Sequence, residues 1–392
     1  MSESILLAVA PVPLWPTDNG YSLRVTSVLE ELVKLWDTIL VAPESEASAD
    51  KTSSLNLLDF VPVAGGGRFA TMPWQLDIEA LRRPVDHVLS KVRPSAALLW
   101  SGTEVLGFDE FPPAVADRID SATLAAVRMR PGLLSLRKRL RMGVRAALYE
   151  RRVVRSMSAT IVVGDADART LKRISGRDSI HVVPNGVELG PPPQASWESS
   201  QPTVMFTGVL SFRPNADAAI DFARNVWPLV RAAVPSARFA VVGRDPGENV
   251  WELADLPGVD VLADVPDLRS ELRRAWVAVA PMRSGSGIKN KILESWACGK
   301  PVVLSSLAAN GLAPGYEKAS VTADNPSRVA AEVTSLLQDS VRRESLGRAG
   351  YALVAEHHSW SGAASRVSNL LHAAEADEEW SAPTGSTEPA VS

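Results

Sequence analysis

A single cysteine, Cys298, stands in a chain of 392 residues. It can form neither an internal disulfide nor a cysteine-rich metal site, and such usage fits a reducing compartment. Histidine is scarce: there are five, and only His357 and His358 pair in sequence. Adjacent residues do not share a helical face, so they have no metal-ligating spacing. There is no basic excess either. The formal net charge is −4, and nucleic acid is not an expected partner. No apolar run approaches the length of a membrane span, about 20 residues. The N-terminus lacks a basic n-region before its short apolar run, so residues 5–10 read as a first core strand and not as a signal peptide. That strand is followed by "PVPLWPTDNG", with no Gly-x-Gly-x-x-G, which argues against a nicotinamide-dependent dehydrogenase.

What is present is alternation. Hydrophobic residues make up 46% of the chain and charged residues 22%, an ordinary globular balance in a length that allows two or three domains. Short apolar runs separate helical patterns in both halves. Strands are expected over 4–10, 37–43, 96–100, 159–164 and 180–184, and again over 203–208, 238–243, 259–265, 275–281 and 300–306. Buried strands separated by helices imply parallel sheets, and two such series imply two doubly wound α/β domains. Residues 1–184 form the first, and 203–358 the second. The Pro-, Ser- and Gly-rich stretch 185–202 reads as their linker. Residues 373–392 have the composition of a disordered tail.

The most informative stretch is "MRSGSGIKNKILESWACGKPVV", residues 282–303. It follows an expected strand, so its loop lies at a carboxyl end, where open α/β sheets bind ligands. Gly285 and Gly287 permit positive φ and close approach of backbone to ligand. The helix that follows offers unpaired N–H groups, and Lys289 and Lys291 add positive charge where the helix dipole is already positive, which makes sense if an anion sits between them. Glu294, about two turns inside, can accept two hydrogen bonds from a vicinal diol such as a ribose. A plainer reading makes Ile288, Ile292, Leu293, Trp296 and Ala297 a core face, with Lys291 and Glu294 an i,i+3 surface pair.

The whole run resembles the donor-binding segment of retaining glycosyltransferases of family 4, in the branch that reads Gly-x-Gly-Ile-Lys-Asn-Lys-Ile-Leu-Glu. Further stretches match in order: "AVAPVPLWPTDNGYSLRVTSVLEEL", "YERRVVRSMSATIVVGDADARTL", "VVPNGVE", "FTGVLSFRPNADAAIDFARNVWPLV", "FAVVGRDP" and "HHSWSGAASRVSNLL". The resemblance implies a GT-B fold, two Rossmann-like domains facing each other across a cleft, with a final helix (359–372) crossing back to the first. It implies a nucleotide diphosphate sugar as co-substrate, no other cofactor, retention of anomeric configuration and no metal. Gly20, Gly208, Arg213, Arg244, Ser286, Gly287, Ile288, Lys289, Asn290 and Glu294 are then expected around the donor. Lys289, Arg213 and Asp120 are expected to carry the chemistry, the cations by neutralising the departing diphosphate. The sequence departs from the family at Ser286, which stands where many members have a first glutamate. "VLSFRPNAD" has Arg213 and Asn215 but no lysine, and "ADRIDSATL" (116–124) has no histidine, only Asp120. A sugar-nucleotide epimerase or hydrolase on the same fold, and a non-catalytic nucleotide-sugar-binding protein, are the alternatives.

Two other features carry chemistry. Asp165-x-Asp167 after a strand can hold a divalent cation beside a diphosphate. The preferred reading makes one of them the N-cap of the next helix. Residues 128–155 contain ten Lys or Arg and one Glu. Such a stretch is a solvated helix face, a membrane-surface helix receiving a lipid-linked acceptor, or a recognition element for an anionic acceptor. The acceptor is otherwise a small molecule or a glycan, and the protein is expected in the cytoplasm or peripherally at the inner membrane face.

Overall fold

The structure is a computed structural model describing residues 4–17, 19–45, 48–63, 77–108, 111–129, 135–194, 199–285 and 287–377. Among these, seven parallel strands form the first sheet: β1 (Ile5–Val9), β2 (Asp37–Pro43), β3 (Asp59–Val63), β4 (Ala96–Trp100), β5 (Ala114–Ile119), β6 (Ala159–Val162) and β7 (Ile180–Val182), in the order β3-β2-β1-β4-β5-β6-β7. Six more form the second: β8 (Thr203–Val209), β9 (Arg238–Arg244), β10 (Val259–Ala263), β11 (Val277–Ala280), β12 (Val302–Leu304) and β13 (Ser320–Thr322), ordered β10-β9-β8-β11-β12-β13. Each order reverses once, at β1/β4 and at β8/β11, and those crevices are where such sheets take ligands.

Ten of these strands are the apolar runs read from the sequence. Three were not expected. β3 carries Pro62, and β13 is only three residues long. β5 places Asp117 and Arg118 in the middle of a buried strand. Charge there contradicts the pattern of a parallel-sheet strand unless partners neutralise it, and those partners come from elsewhere in the chain.

The two halves meet along several contacts. Asn185 Nδ2 donates to Asn290 Oδ1 at 2.8 Å, and Val187 N donates to His358 O at 2.8 Å, so the outgoing and returning chains run side by side. The stretch 185–202 is therefore partly a packed element: Asn185 is buried, and Tyr351 Oη donates to Gly190 O at 2.9 Å. The last helix, Trp360–Asp377, returns to the first half. Its Ala363, Ala364, Val367, Leu371 and Ala374 join the core formed by Val25, Val28, Leu29 and Leu32 of the first helix, Gly20–Leu32. It runs through residues 373–377, which the sequence assigned to the tail. Ala374 is buried and Glu375 accepts from Ser4 Oγ at 3.0 Å, contacts that composition does not reveal. Residues 378–392 lie outside the described chain.

Candidate active site

The second sheet's crevice is built by the ends of β8 and β11 and by the helix Asn290–Ala297. Ile292, Leu293, Trp296 and Ala297 bury one face of that helix. This fixes its rotation, and with it the direction of Lys291. The Lys291 ammonium lies 2.8 Å from Asn215 Oδ1 and 3.9 Å from the centroid of the Phe206 ring in β8. Asn215 is held in turn by donating its Nδ2 to Val209 O at 2.9 Å. Burial pushes Lys291 down to about 7, against the pull of Glu294 upward, with Lys289 adding repulsion. Gly208, at φ +155, lies against this pair. A Cβ on it would stand 2.8 Å from Asn215 Nδ2 and 3.0 Å from Lys291 Nζ, so any side chain there would displace the lysine.

Glu294 follows one turn after Lys291. Burial raises its pKa, while Lys291 and Arg269 oppose the shift. No hydrogen bond among the described residues commits its carboxylate. The surface-pair reading of Lys291 and Glu294 fails here: the lysine turns into the crevice toward Asn215 instead of lying on a solvated face.

Lys289 points elsewhere. It is the N-cap residue of the helix, and its ammonium donates to Gly287 O at 2.9 Å. Burial lowers its pKa, while Asp120 and then Asp167 raise it, which places it toward the carboxylates of the first half. Gly287 has φ +67, and a Cβ on it would lie 2.0 Å from Asp120 Oδ1. Only glycine meets both conditions, the left-handed backbone and the carboxylate pressed against it.

Asp120 reaches this position because β5 ends irregularly. The register with β6 shifts between Asp117 and Ile119, and Ile119 adopts φ +62, costly for a β-branched residue. A buried charge network holds the turn. Arg24 Nε pairs with Asp117 at 2.9 Å and its Nη1 donates to Val183 O and Asn185 Oδ1. Arg118 pairs with Glu104 at 2.7 Å and Glu150 at 3.1 Å. Glu150 also accepts from Ser121 Oγ and from the amides of Ala122 and Thr123. Asp167, buried in the first turn of the helix Asp165–Ser175, accepts from Ser121 N at 2.9 Å, while its Oδ2 has no hydrogen-bond partner among the described residues. Burial and the neighbouring Asp120 push it up to about 6, with the Ser121 amide opposing.

The structure thus gathers Lys289, Asp120, Gly287, Asn290, Gly20 and Gly208 along one cleft, with Glu294 beside Lys291. A Cβ on Gly20 would lie 3.4 Å from Asn290 Nδ2. Ile288 backs onto Gly311 of the following loop. Ser286 lies outside the described residues. Two expected cations stand exposed. Arg213 is exposed and reaches Asp217, 3.7 Å away on its own helix, and Arg244 is an exposed residue closing β9. Arg213 opens the helix Arg213–Asp221, and Asn215, one half-turn on, is the residue that meets Lys291. Neither Asp165 nor Asp167 is an N-cap: the cap position is Gly164, and Asp167 turns inward to Ser121. Among the described residues, no group of three or more His, Cys, Asp or Glu is arranged to hold a metal ion. Arg24 and Glu150 were not singled out in the sequence; Asn215, Lys291 and Asp167 were, but not in these roles. Lys291 had a signal, its place opposite the apolar face of the helix. The others depend on partners as far as 161 positions away in sequence.

Comparison with known proteins gives the same outline. Residues 201–339 match the family model described as "Glycosyl transferases group 1". A phosphatidyl-myo-inositol mannosyltransferase of Propionibacterium freudenreichii subsp. shermanii is 27% identical over 168 residues, 40% of this chain and 41% of the relative. The chain therefore matches less than half of that relative's length. Among solved structures, sucrose-phosphate synthase from Thermosynechococcus elongatus superposes with TM-score 0.75 at 14% identity, covering 96% of this chain and all of the other. Anabaena HepE in complex with UDP and glucose superposes with TM-score 0.69 at 15% identity, covering 95% and 100%. The fold is that of the GT-B glycosyltransferases, two facing α/β domains with a returning C-terminal helix.

Proposed function

We propose that this chain is a retaining glycosyltransferase of family 4 that moves a sugar, a hexose by the family resemblance, from a nucleoside diphosphate to a hydroxyl-bearing acceptor. The carrying observation is the placement of Lys291, held by Asn215 over Phe206 and beside Gly208, at the switch point of the second sheet. An ammonium held there by a neutral amide suits an anion such as a departing diphosphate. Glu294, one turn on, suits the ribose diol. The glycine-lined approach leaves room for backbone contact with phosphate. The family match over 201–339 and the UDP complex of a structural neighbour support the same reading.

In the reaction, the bond between the anomeric carbon and the diphosphate oxygen breaks, and its electron pair leaves with the nucleoside diphosphate. Lys291 and the free N–H groups that begin the helix Asn290–Ala297 stabilise that growing charge. The acceptor oxygen attacks the same face of the sugar, and its proton passes to the departing diphosphate. Asp120, with Asp167 behind it, faces the cleft from the first half and binds sugar or acceptor hydroxyls. Because protein cations supply the neutralisation, turnover is expected to survive EDTA.

The test is a thermal-shift screen with UDP, GDP, dTDP and ADP, followed by transfer assays with the matching sugar donors. A nucleotide at about 100 times its dissociation constant should add about 2.7 kcal/mol of stability. NMR of the product should show the donor's anomeric configuration. Absence of any nucleotide shift would overturn the reading. Epimerised donor formed without acceptor would identify an epimerase, and binding with no transfer would identify a non-catalytic receptor.

A further inference from the structure

The helix Leu136–Ser156 has two faces with different partners. Its inner face buries Ala146, Glu150, Val153 and Val154 against the first domain. Its outer face carries Leu136, Leu140, Val144 and Leu148, each between 58% and 68% exposed. These four recur every fourth residue, so they form one stripe about 120° wide and about 18 Å long. Four large aliphatic side chains aligned in water are unusual on a monomer surface. Val127, 67% exposed on the neighbouring helix Ala122–Arg128, extends the patch, and Arg139 Nη2 donates to Val127 O across the gap.

Charge identifies the occupant. The helix has eight Lys or Arg and one acid, Glu150, which is buried and faces inward. Arg137, Lys138, Arg141 and Arg145 are all exposed along the same segment as the aliphatic stripe. A second copy docked about a two-fold axis here would set cations against cations. A solvated face would not carry the leucines. Aliphatic residues beside arginines, with no exposed acid, match the boundary between anionic headgroups and acyl chains. Among the described residues, no helix is long and apolar enough to cross a membrane, so contact of this kind lies in the interface plane.

We propose that the outer face of Leu136–Ser156 docks on an anionic lipid surface, inserting Leu136, Leu140, Val144 and Leu148 between headgroups. The docking rests on this helix alone and not on the transfer reaction. Its consequence does involve the cleft, because Glu150 on the opposite face grips the turn that carries Asp120. A docked helix holds the first-domain side of the cleft close to the lipid headgroups.

The test is vesicle flotation with the full chain. Phosphatidylcholine vesicles containing phosphatidylglycerol should carry the protein, pure phosphatidylcholine vesicles should not, and added salt should weaken binding because exposed charges are screened. Arg137→Ser with Arg141→Ser should weaken binding roughly tenfold or more. Leu140→Asn with Leu148→Asn should do the same while leaving the UDP-induced thermal shift unchanged, since these side chains are exposed on the outer face of a first-domain helix. Equal binding to neutral vesicles, no binding at low salt, or indifference to both double variants would overturn the proposal. So would a concentration-dependent dimer that the leucine variants dissolve, which would identify a second copy as the occupant.

Discussion

Burial beside Asn215 and Phe206 pushes Lys291 down to about 7, and the Glu294 carboxylate, which raises it, does not make up the loss. In the unfolded chain the same group keeps its proton to about 10.5. Between those values the unfolded state binds more protons, so this group makes stability rise with pH across the window and imposes its full penalty below about 7. Lys291→Met should therefore melt no lower than wild type at neutral pH, and its advantage should shrink toward pH 10, as thermal melts can show. The same variant should lose UDP affinity and turnover. A bound diphosphate favours the charged lysine, so nucleotide binding to wild type should take up protons and weaken as pH rises above about 7. Calorimetry in buffers of different ionisation enthalpy would detect that uptake. Glu294→Gln should behave differently. A ribose contact is unchanged during transfer, so its loss should raise donor KM more than it lowers kcat. If Lys291→Met keeps wild-type kcat, the lysine has no part in the chemistry.

Helix Leu136–Ser156 shows how one element can serve two tasks. Glu150 is its only acid, and it satisfies Arg118, Ser121 Oγ and two amides that would otherwise be stranded in the interior. Removing one member of a buried charge network leaves the rest uncompensated. Glu150→Ala should cost about 3 kcal/mol or more by urea denaturation, and turnover should drop because the Asp120 turn loosens. Glu150→Gln retains the shape and should fall between that variant and wild type. An unchanged urea midpoint in Glu150→Ala would show that the network is not what shapes β5. Substitutions on the outer face of the same helix should leave the midpoint near wild type, because they remove no buried contact.

At the scale of the whole molecule, the chain ends by repairing its beginning. Leu371 is fully buried among residues of the first helix and β1–β4, and Trp36 donates to Ser368 Oγ at 2.9 Å while stacking on His372. The first domain is thus incomplete until the last helix returns. Leu371→Ala should cost about 2–5 kcal/mol and destabilise the first domain, although the mutation is 366 positions from Ile5. Hydrogen exchange should show the loss of protection in β1 and β4. Exchange changes confined to the second sheet would contradict that coupling.

The sequence by itself determined the class of fold, because buried parallel strands are written as short apolar runs whatever their partners. It also marked residues 282–303 as a ligand segment, because glycine spacing and lysines at a helix start are local features with local physical causes. Asp120 and Glu294 were legible as isolated acids. Tertiary structure alone decided which lysine faces the crevice. Lys289 and Lys291 are two residues apart, and the burial of Ile292, Leu293 and Trp296 turns one toward Asn215 and leaves the other beside Gly287 O and the carboxylates of the first half. It also decided that Arg213 pairs with Asp217, that Asp167 joins Asp120, and that β5 tolerates Asp117 and Arg118 in its centre. Each of these depends on a partner supplied by another element. Desolvation and charge pairing are set by what surrounds a residue in space, and a residue's neighbours in sequence do not fix that.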